Sequence, residues 1–216
     1  MASVAFAMAN ASRAAATLRS ATGGANFSSI ARTSDSMPIM PVTAAELLSV
    51  AAFHDGKFAQ AFPSFGSERM GAPVLAFCRI AQQAIRTREP IVTPNAVVIQ
   101  DPTLLHVVEV FQGLTDDGSV LINTTKSISE LGLDDLQRRL ARGQVQAVPA
   151  TQIAIDHIGR PVPNVVLLGA LAALTGVVSL ASLGEAIRRR FAGVMADANI
   201  AAAAAGHGSL RGSAPC

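Results

Sequence analysis

The sequence predicts an α/β fold, a mostly parallel sheet with helices on both faces, and three observations point to it. Short apolar runs of strand length alternate with helical stretches from Pro41 onward. Half of the 216 residues are apolar, yet Trp and Tyr are absent and Phe numbers only nine, so the core must be Ala, Val, Leu and Ile. Such residues suit helices packed closely on a buried sheet. From Pro163 to Ala205 the pattern is helical throughout, with breaks near Gly176 and Gly193. Together these features describe a Rossmann-like three-layer unit with a helical C-terminal third.

The first helix is expected over Val42–Phe53, where small and apolar residues recur at helical spacing, Thr43 and Glu46 stand at capping-box distance and Gly56 follows the end. Lys57–Phe62 reads as a short strand. A glycine-bearing polar loop follows, Pro63-Ser64-Phe65-Gly66-Ser67-Glu68-Arg69-Met70-Gly71, and then a strand from Pro73 to Ile80. The two strands could form a hairpin or be neighbours in a larger sheet. Ala96–Gln100 is a buried-strand run that stops at Asp101-Pro102, and Pro102 should open a helix reaching Phe111, with Gly113 beyond. Val120–Asn123 is the next strand. Lys126 lies in the loop that leads to a helical stretch from Asp134 to Arg142. A further strand spans Gln144–Val148, and Thr151 is placed to cap a helix through Asp156.

The uncharged run Val165–Gly184 is long enough to cross a bilayer. It is interrupted, however: Thr175-Gly176 reads as a stop, and Ser179 or Ser182 supplies a cap for a second helix. Two buried helices fit better than one span, and no membrane association is expected.

Residues 1–36 are rich in Ala, Ser and Arg and carry no acidic side chain before Asp35, which reads as a disordered or transit-like extension. Residues 37–206 form the folded domain and 207–216 a disordered tail. The expected location is the cytoplasm, or an organelle if the extension is a targeting segment. Seventeen basic against fifteen acidic residues leave a net charge of only +2, too dispersed for a nucleic-acid binder. With only Cys78 and Cys216, the chain has no disulfide framework, no zinc pattern and no four-thiolate set for an iron–sulfur cluster.

Few residues announce chemistry. His54, His106, His157 and His207 are scattered without metal-ligand spacing, and His106 is expected inside an apolar helix as a core or interface residue. Ser49, Ser64, Ser67 and Ser119 sit in no nucleophile-elbow pattern. Glu68-Arg69, on a loop between two apolar strands, belong at a sheet edge or subunit seam, or form a solvated pair. Asp101 stands where a strand ends, the edge at which open α/β sheets gather ligands, and its plainer role is to cap the helix that begins at Pro102. Arg188-Arg189-Arg190 close a helix and complement its dipole, with docking of an acidic partner as the other reading.

The stretch V-T-A-A-E-L-L-S-V-A-A-F-H-D-G-K-F-A-Q-A-F-P-S-F-G-S-E-R-M-G-A-P-V-L-A-F-C-R-I, Val42–Ile80, resembles the gamma subunit, or equivalent domain, of pyruvate and related 2-oxoacid:ferredoxin oxidoreductases. The likeness extends to P-N-V-V-L-L-G-A-L-A-A-L-T-G at Pro163–Gly176 and N-I-A-A-A-A-A-G at Asn199–Gly206. The resemblance implies a heteromultimeric enzyme of the pyruvate synthase type, which decarboxylates a 2-oxoacid, passes electrons to ferredoxin and forms an acyl-coenzyme A. It implies that thiamine pyrophosphate and iron–sulfur clusters of the 4Fe-4S kind are held by alpha, beta and delta subunits, with no cofactor on this chain alone. On the same basis Ser64, Gly66, Glu68, Arg69 and Gly71, which match the family's F-G-x-E-x-x-G-A-P signature, become candidates for a subunit seam or coenzyme A-proximal contact. Asp101 is a possible ligand-edge residue. No residue of this chain is expected to be catalytic, and none to bind a metal.

One departure stands out. Relatives carry a strand and a G-x-G-G-Q-G loop directly before the first helix, whereas this chain reads Ser36-Met37-Pro38-Ile39-Met40-Pro41 there. Without those glycines the backbone cannot make the tight turn or approach an anion closely. The first strand is therefore expected to be absent or remodelled. The alternatives that follow are a non-catalytic structural subunit and a stand-alone nucleotide-binding α/β protein.

Overall fold

The computed structural model describes residues 4–10, 40–65, 74–87, 89, 91–106, 109–141 and 143–211. Six strands form one sheet in the order β2-β3-β1-β4-β5-β6: β1 Val4–Asn10, β2 Phe58–Phe65, β3 Val74–Ala81, β4 Ala96–Ile99, β5 Ser119–Asn123 and β6 Val145–Val148. β1, β4, β5 and β6 run parallel, while β2 and β3 form an antiparallel hairpin added beside β1. The α/β class and mostly parallel sheet hold, with the hairpin as the antiparallel minority.

Of the two expectations for the first strand the structure has the remodelled one, and Val4–Asn10 corrects the expectation that residues 1–36 lie outside the domain. Val4–Asn10 is third in the sheet, antiparallel to β3 with Asn10 opposite Val74 and parallel to β4 with Ala9 opposite Ile99. Its signal is the apolar run V-A-F-A-M-A, which the surrounding Ala/Ser/Arg bias disguises as leader composition.

Six helices follow the predicted alternation: α1 Met40–His54, α2 Asp134–Arg139, α3 Ala150–Ile158, α4 Asn164–Thr175, α5 Leu180–Arg190 and α6 Gly193–Arg211. α1 begins earlier than the capping box implied, with Pro41 in its first turn, where the missing N–H and fixed φ are tolerated. The expected helix from Pro102 to Phe111 shrinks to a 3₁₀ helix, Pro102–His106, so His106 ends it exposed to solvent rather than lying in an apolar helix. α6 runs to Arg211, so residues 207–211 are helical rather than part of a disordered tail. The uncharged run resolves into α4 and α5, separated by Gly176 at φ 63, and no helix among the described residues is long and apolar enough to cross a membrane.

Strand alternation divides the core. Ala96, Val98, Leu121 and Val148 face α1, α3, α4, α5 and α6, while Val97, Ile99, Val120, Ile122 and Val145 face Leu105, Phe111 and Leu136. Both faces of β4 and β5 are therefore covered, which explains why these strands read as unbroken apolar runs. α4 is the central helix, buried from Asn164 through Ala172. It packs against α6 almost backbone to backbone: a Cβ on Gly169 would stand 1.9 Å from the Ala203 carbonyl oxygen, and one on Gly206 would stand 2.2 Å from that of Val166.

α5 is capped by Ser179, whose Oγ accepts from the Ser182 N–H at 3.1 Å. Asp55, just past α1, fastens this cap by accepting from the Ser179 N–H (2.7 Å), Ser179 Oγ (2.8 Å) and Ser182 Oγ (2.5 Å). Burial raises the Asp55 carboxyl, but the hydrogen bonds from Ser182 and Ser179, with the Lys57 charge, outweigh it and carry it below its ordinary value.

Candidate functional site

The parallel strands end level with one another, Ala9 opposite Ile99, Ile99 opposite Ile122 and Ile122 opposite Ala147. The β2–β3 hairpin opens toward the same edge, because Phe65 pairs with Val74 and Val74 with Asn10. The topology thus brings the ends of the signature loop to the edge that also carries Gln100, Asp101 and Asn123. Ser64 lies on β2 opposite Leu75. Gly66, Glu68, Arg69 and Gly71 fall outside the described residues.

The described elements that come next after β1 and β4 lie on opposite faces of the sheet. After β1 the next described element, α1, lies on the α4 side of the sheet, whereas the segment after β4 carries Leu105 into the opposite core. Diverging connections of neighbouring parallel strands open a crevice beyond their carboxyl ends, where open α/β sheets bind ligands.

Asn123 organises one side of that crevice. Its Nδ2 donates to the Gln100 carbonyl oxygen at 2.9 Å and to Thr151 Oγ1 at 2.8 Å, while its Oδ1 accepts from the Thr151 N–H at 3.0 Å. A residue from β5 therefore caps α3, and Thr151, predicted to be the cap, is instead the group being capped. The residue at the N-cap position itself, Pro149, makes no side-chain cap.

Asp101 serves the local structure. Its Oδ1 accepts from the Thr103 N–H at 3.0 Å and from Thr103 Oγ1 at 2.7 Å, closing an Asx turn over the start of the 3₁₀ helix. This is the capping role that the sequence offered beside a ligand contact. The neighbouring residue is more unusual: Gln100 is only 5% exposed, and neither its Nε2 nor its Oε1 has a hydrogen-bond partner among the described residues. A buried amide left unpaired costs stability, so the position calls for a partner that the described residues do not supply. Its signal in the sequence is a polar residue closing the run A-V-V-I, which the charged Asp101 beside it masks.

Other potential chemistry is silent. Cys78 lies buried in β3, and desolvation pushes its thiol up to about 12, which keeps it protonated and inert. Among the described residues no group of three or more His, Cys, Asp or Glu side chains converges as a metal site. His54 packs edge-on against Phe53 with ring centroids 6.3 Å apart. Ser119 donates to Gln144 Oε1 and so joins β5 to the start of β6 rather than facing a general base.

Residues 41–209 match the family model described as pyruvate ferredoxin/flavodoxin oxidoreductase. The chain is 51% identical over 147 residues to pyruvate synthase subunit PorC of Methanosarcina barkeri, covering 68% of this chain and 78% of that protein. It is 47% identical over 162 residues to the common gamma subunit of the pyruvate/ketoisovalerate oxidoreductases of Thermococcus kodakarensis, covering 75% of this chain and 86% of the relative. The crystal structure of pyruvate oxidoreductase subunit PORC from Thermotoga maritima superposes with a TM-score of 0.69 at 28% identity, spanning 95% of this chain and 96% of that one.

Proposed function

The chain belongs to the pyruvate ferredoxin/flavodoxin oxidoreductase family as a gamma-type subunit of the pyruvate synthase kind, and from that premise we propose how it serves the complex. It supports oxidative decarboxylation of a 2-oxoacid to an acyl-coenzyme A, with electrons passed to ferredoxin, by lining the coenzyme A approach with the carboxyl-end crevice and the 63–71 loop. Gln100 supports this reading most directly: a coenzyme A amide or hydroxyl group would satisfy its buried carboxamide, and Arg69 in the signature loop suits bidentate pairing with a phosphate.

The redox groups belong elsewhere. A cluster takes several thiolates, and Cys78 is the one cysteine among the described residues, so those residues do not fit an iron–sulfur cluster. Thiamine pyrophosphate and the clusters are assigned to alpha, beta and delta partners, and the assembly to the cytoplasm. Seen this way the chain completes a binding site and moves no electrons.

Reconstitution tests the reading. A complex assembled with this chain should turn over, the same partners without it should not, and Arg69→Ala should raise the coenzyme A Michaelis constant several-fold. Unchanged turnover without the chain sinks the proposal. A purely structural role is favoured by one feature, the glycine-free segment Ser36–Pro41 in place of the family loop. That role requires assembly to depend on the chain while the coenzyme A constant ignores both Arg69 and Gln100.

A further inference from the structure

β2 is the edge strand of the sheet, with β3 on one side and no strand on the other among the described residues. Pro63 lies within it, opposite Ala76. A proline has no N–H to give a ladder, so it stands where the backbone groups turn away from the neighbour. By the two-residue period Ala59 and Ala61 share that outward orientation, and their N–H and C=O groups line an open edge. Such an edge is a template for another strand.

A groove of about 650 Å³ runs along the start of this edge, walled by Val50 and Phe53 of α1, Phe58 and Ala59 of β2, and Arg189 of α5. Phe53 is 70% exposed and Phe58 49% exposed, and both line the groove. Both charged residues of the lining, Lys57 and Arg189, are cationic. Lys57 is fixed in place by donating to the Val177 carbonyl oxygen at 2.6 Å, a neutral partner that leaves its charge in force. Asp55 lies near Lys57 and offsets part of its charge, while its oxygens are held by Ser179 and Ser182. Glu46 lies in the adjoining hollow with Arg189 and Arg190, so Lys57, Arg189 and Arg190 outnumber Asp55 and Glu46 by one charge along the rim.

We infer that this edge is a docking site for an extended segment of a partner subunit, one that adds a strand to β2, seats an apolar side chain on Phe53 and Phe58, and sets a carboxylate against Arg189. An open ladder specifies an extended occupant, the two phenyl rings an apolar one and the cationic rim an acidic one. The inference rests on the reading of this chain as one member of a complex. It goes beyond that reading in naming the face and the chemistry of the segment that covers it.

The test uses the full chain and its assembled complex. Amide hydrogen exchange at Ala59 and Ala61 should slow at least tenfold on assembly. Ala61→Pro removes one outward donor at a position equivalent to Pro63, and Arg189→Glu reverses the rim charge. Each should weaken association about tenfold or more, with rising salt weakening the wild-type contact as well. Melting temperatures of the free variants within a degree or two of wild type separate lost docking from lost folding. Unchanged exchange at Ala59 and Ala61 in an intact complex overturns the inference and leaves the function standing, whereas failure of the wild-type chain to enter any complex removes both. Exchange that slows in the isolated chain as its concentration rises would assign the edge to a second copy and also overturn it.

Discussion

Asn123 and Thr151 meet through two reciprocal hydrogen bonds, amide to hydroxyl at 2.8 Å and backbone N–H to carboxamide oxygen at 3.0 Å, which tie the end of β5 to the first turn of α3. Because Asn123 is buried and also holds the Gln100 carbonyl oxygen, Asn123→Ala removes a cap and strands several polar groups at once. Urea unfolding should show a loss of about 2 kcal/mol. A double-mutant cycle with Thr151→Ala should be clearly non-additive, and additive losses would refute the coupling.

Gln100→Leu separates stability from function. Replacing an unpaired buried amide with an apolar side chain of similar volume should stabilise the free chain by about 1 kcal/mol. In the reconstituted complex the same change should raise the coenzyme A Michaelis constant several-fold. A variant that is more stable and binds as well as wild type would mean that Gln100 is not a ligand contact.

Gly169→Ala or Gly206→Ala forces a methyl group into a carbonyl oxygen of the facing helix. Neither neighbour is a flexible side-chain tip, so α4 and α6 must separate. Each substitution should cost roughly 2–4 kcal/mol, read as a lowered thermal midpoint. Gly184→Ala, with nothing within 4 Å of its added methyl, is the control and should be neutral or slightly stabilising.

Asp55 and Cys78 act at opposite ends of the pH scale. The Asp55 carboxyl is depressed in the folded chain, so its contribution is present above an unfolded value of about 3.9 and is lost as pH falls through the folded one. Asp55→Asn should flatten the acid limb of the stability profile. The Cys78 thiol is raised to about 12, so the folded chain holds its proton longer than the unfolded chain does. Stability should therefore fall as pH rises above about 8.5, and Cys78→Ala should remove that slope. In a Cys216→Ser background, Cys78 should react with a thiol reagent only on unfolding.

Much of this architecture was legible in the sequence because its signals are local. Gly176 and Ser179 divide α4 from α5 through backbone conformation and a hydroxyl cap, and both can be read from residue type alone. The V-V-I run of β4 declares a strand covered on both faces. What escaped is relational: Asn123 caps a helix 28 residues downstream, which sequence spacing does not disclose. The helix at Pro102 is reduced to a short 3₁₀ turn along which only Leu104 is buried, so it lacks the apolar face that packing would need to hold a longer one. Val4–Asn10 escaped because its alanines speak for leader composition as readily as for a strand.

The position of β1 has a consequence for biogenesis. The earliest of the described segments becomes an interior member of the sheet, and both strands that flank it come much later in the sequence. Its two edges must wait, exposed, for a hairpin to arrive on one side and a crossover on the other. Any protease that trims the chain beyond Asn10 would withdraw the member joining the β2–β3 ribbon to the β4–β5–β6 half.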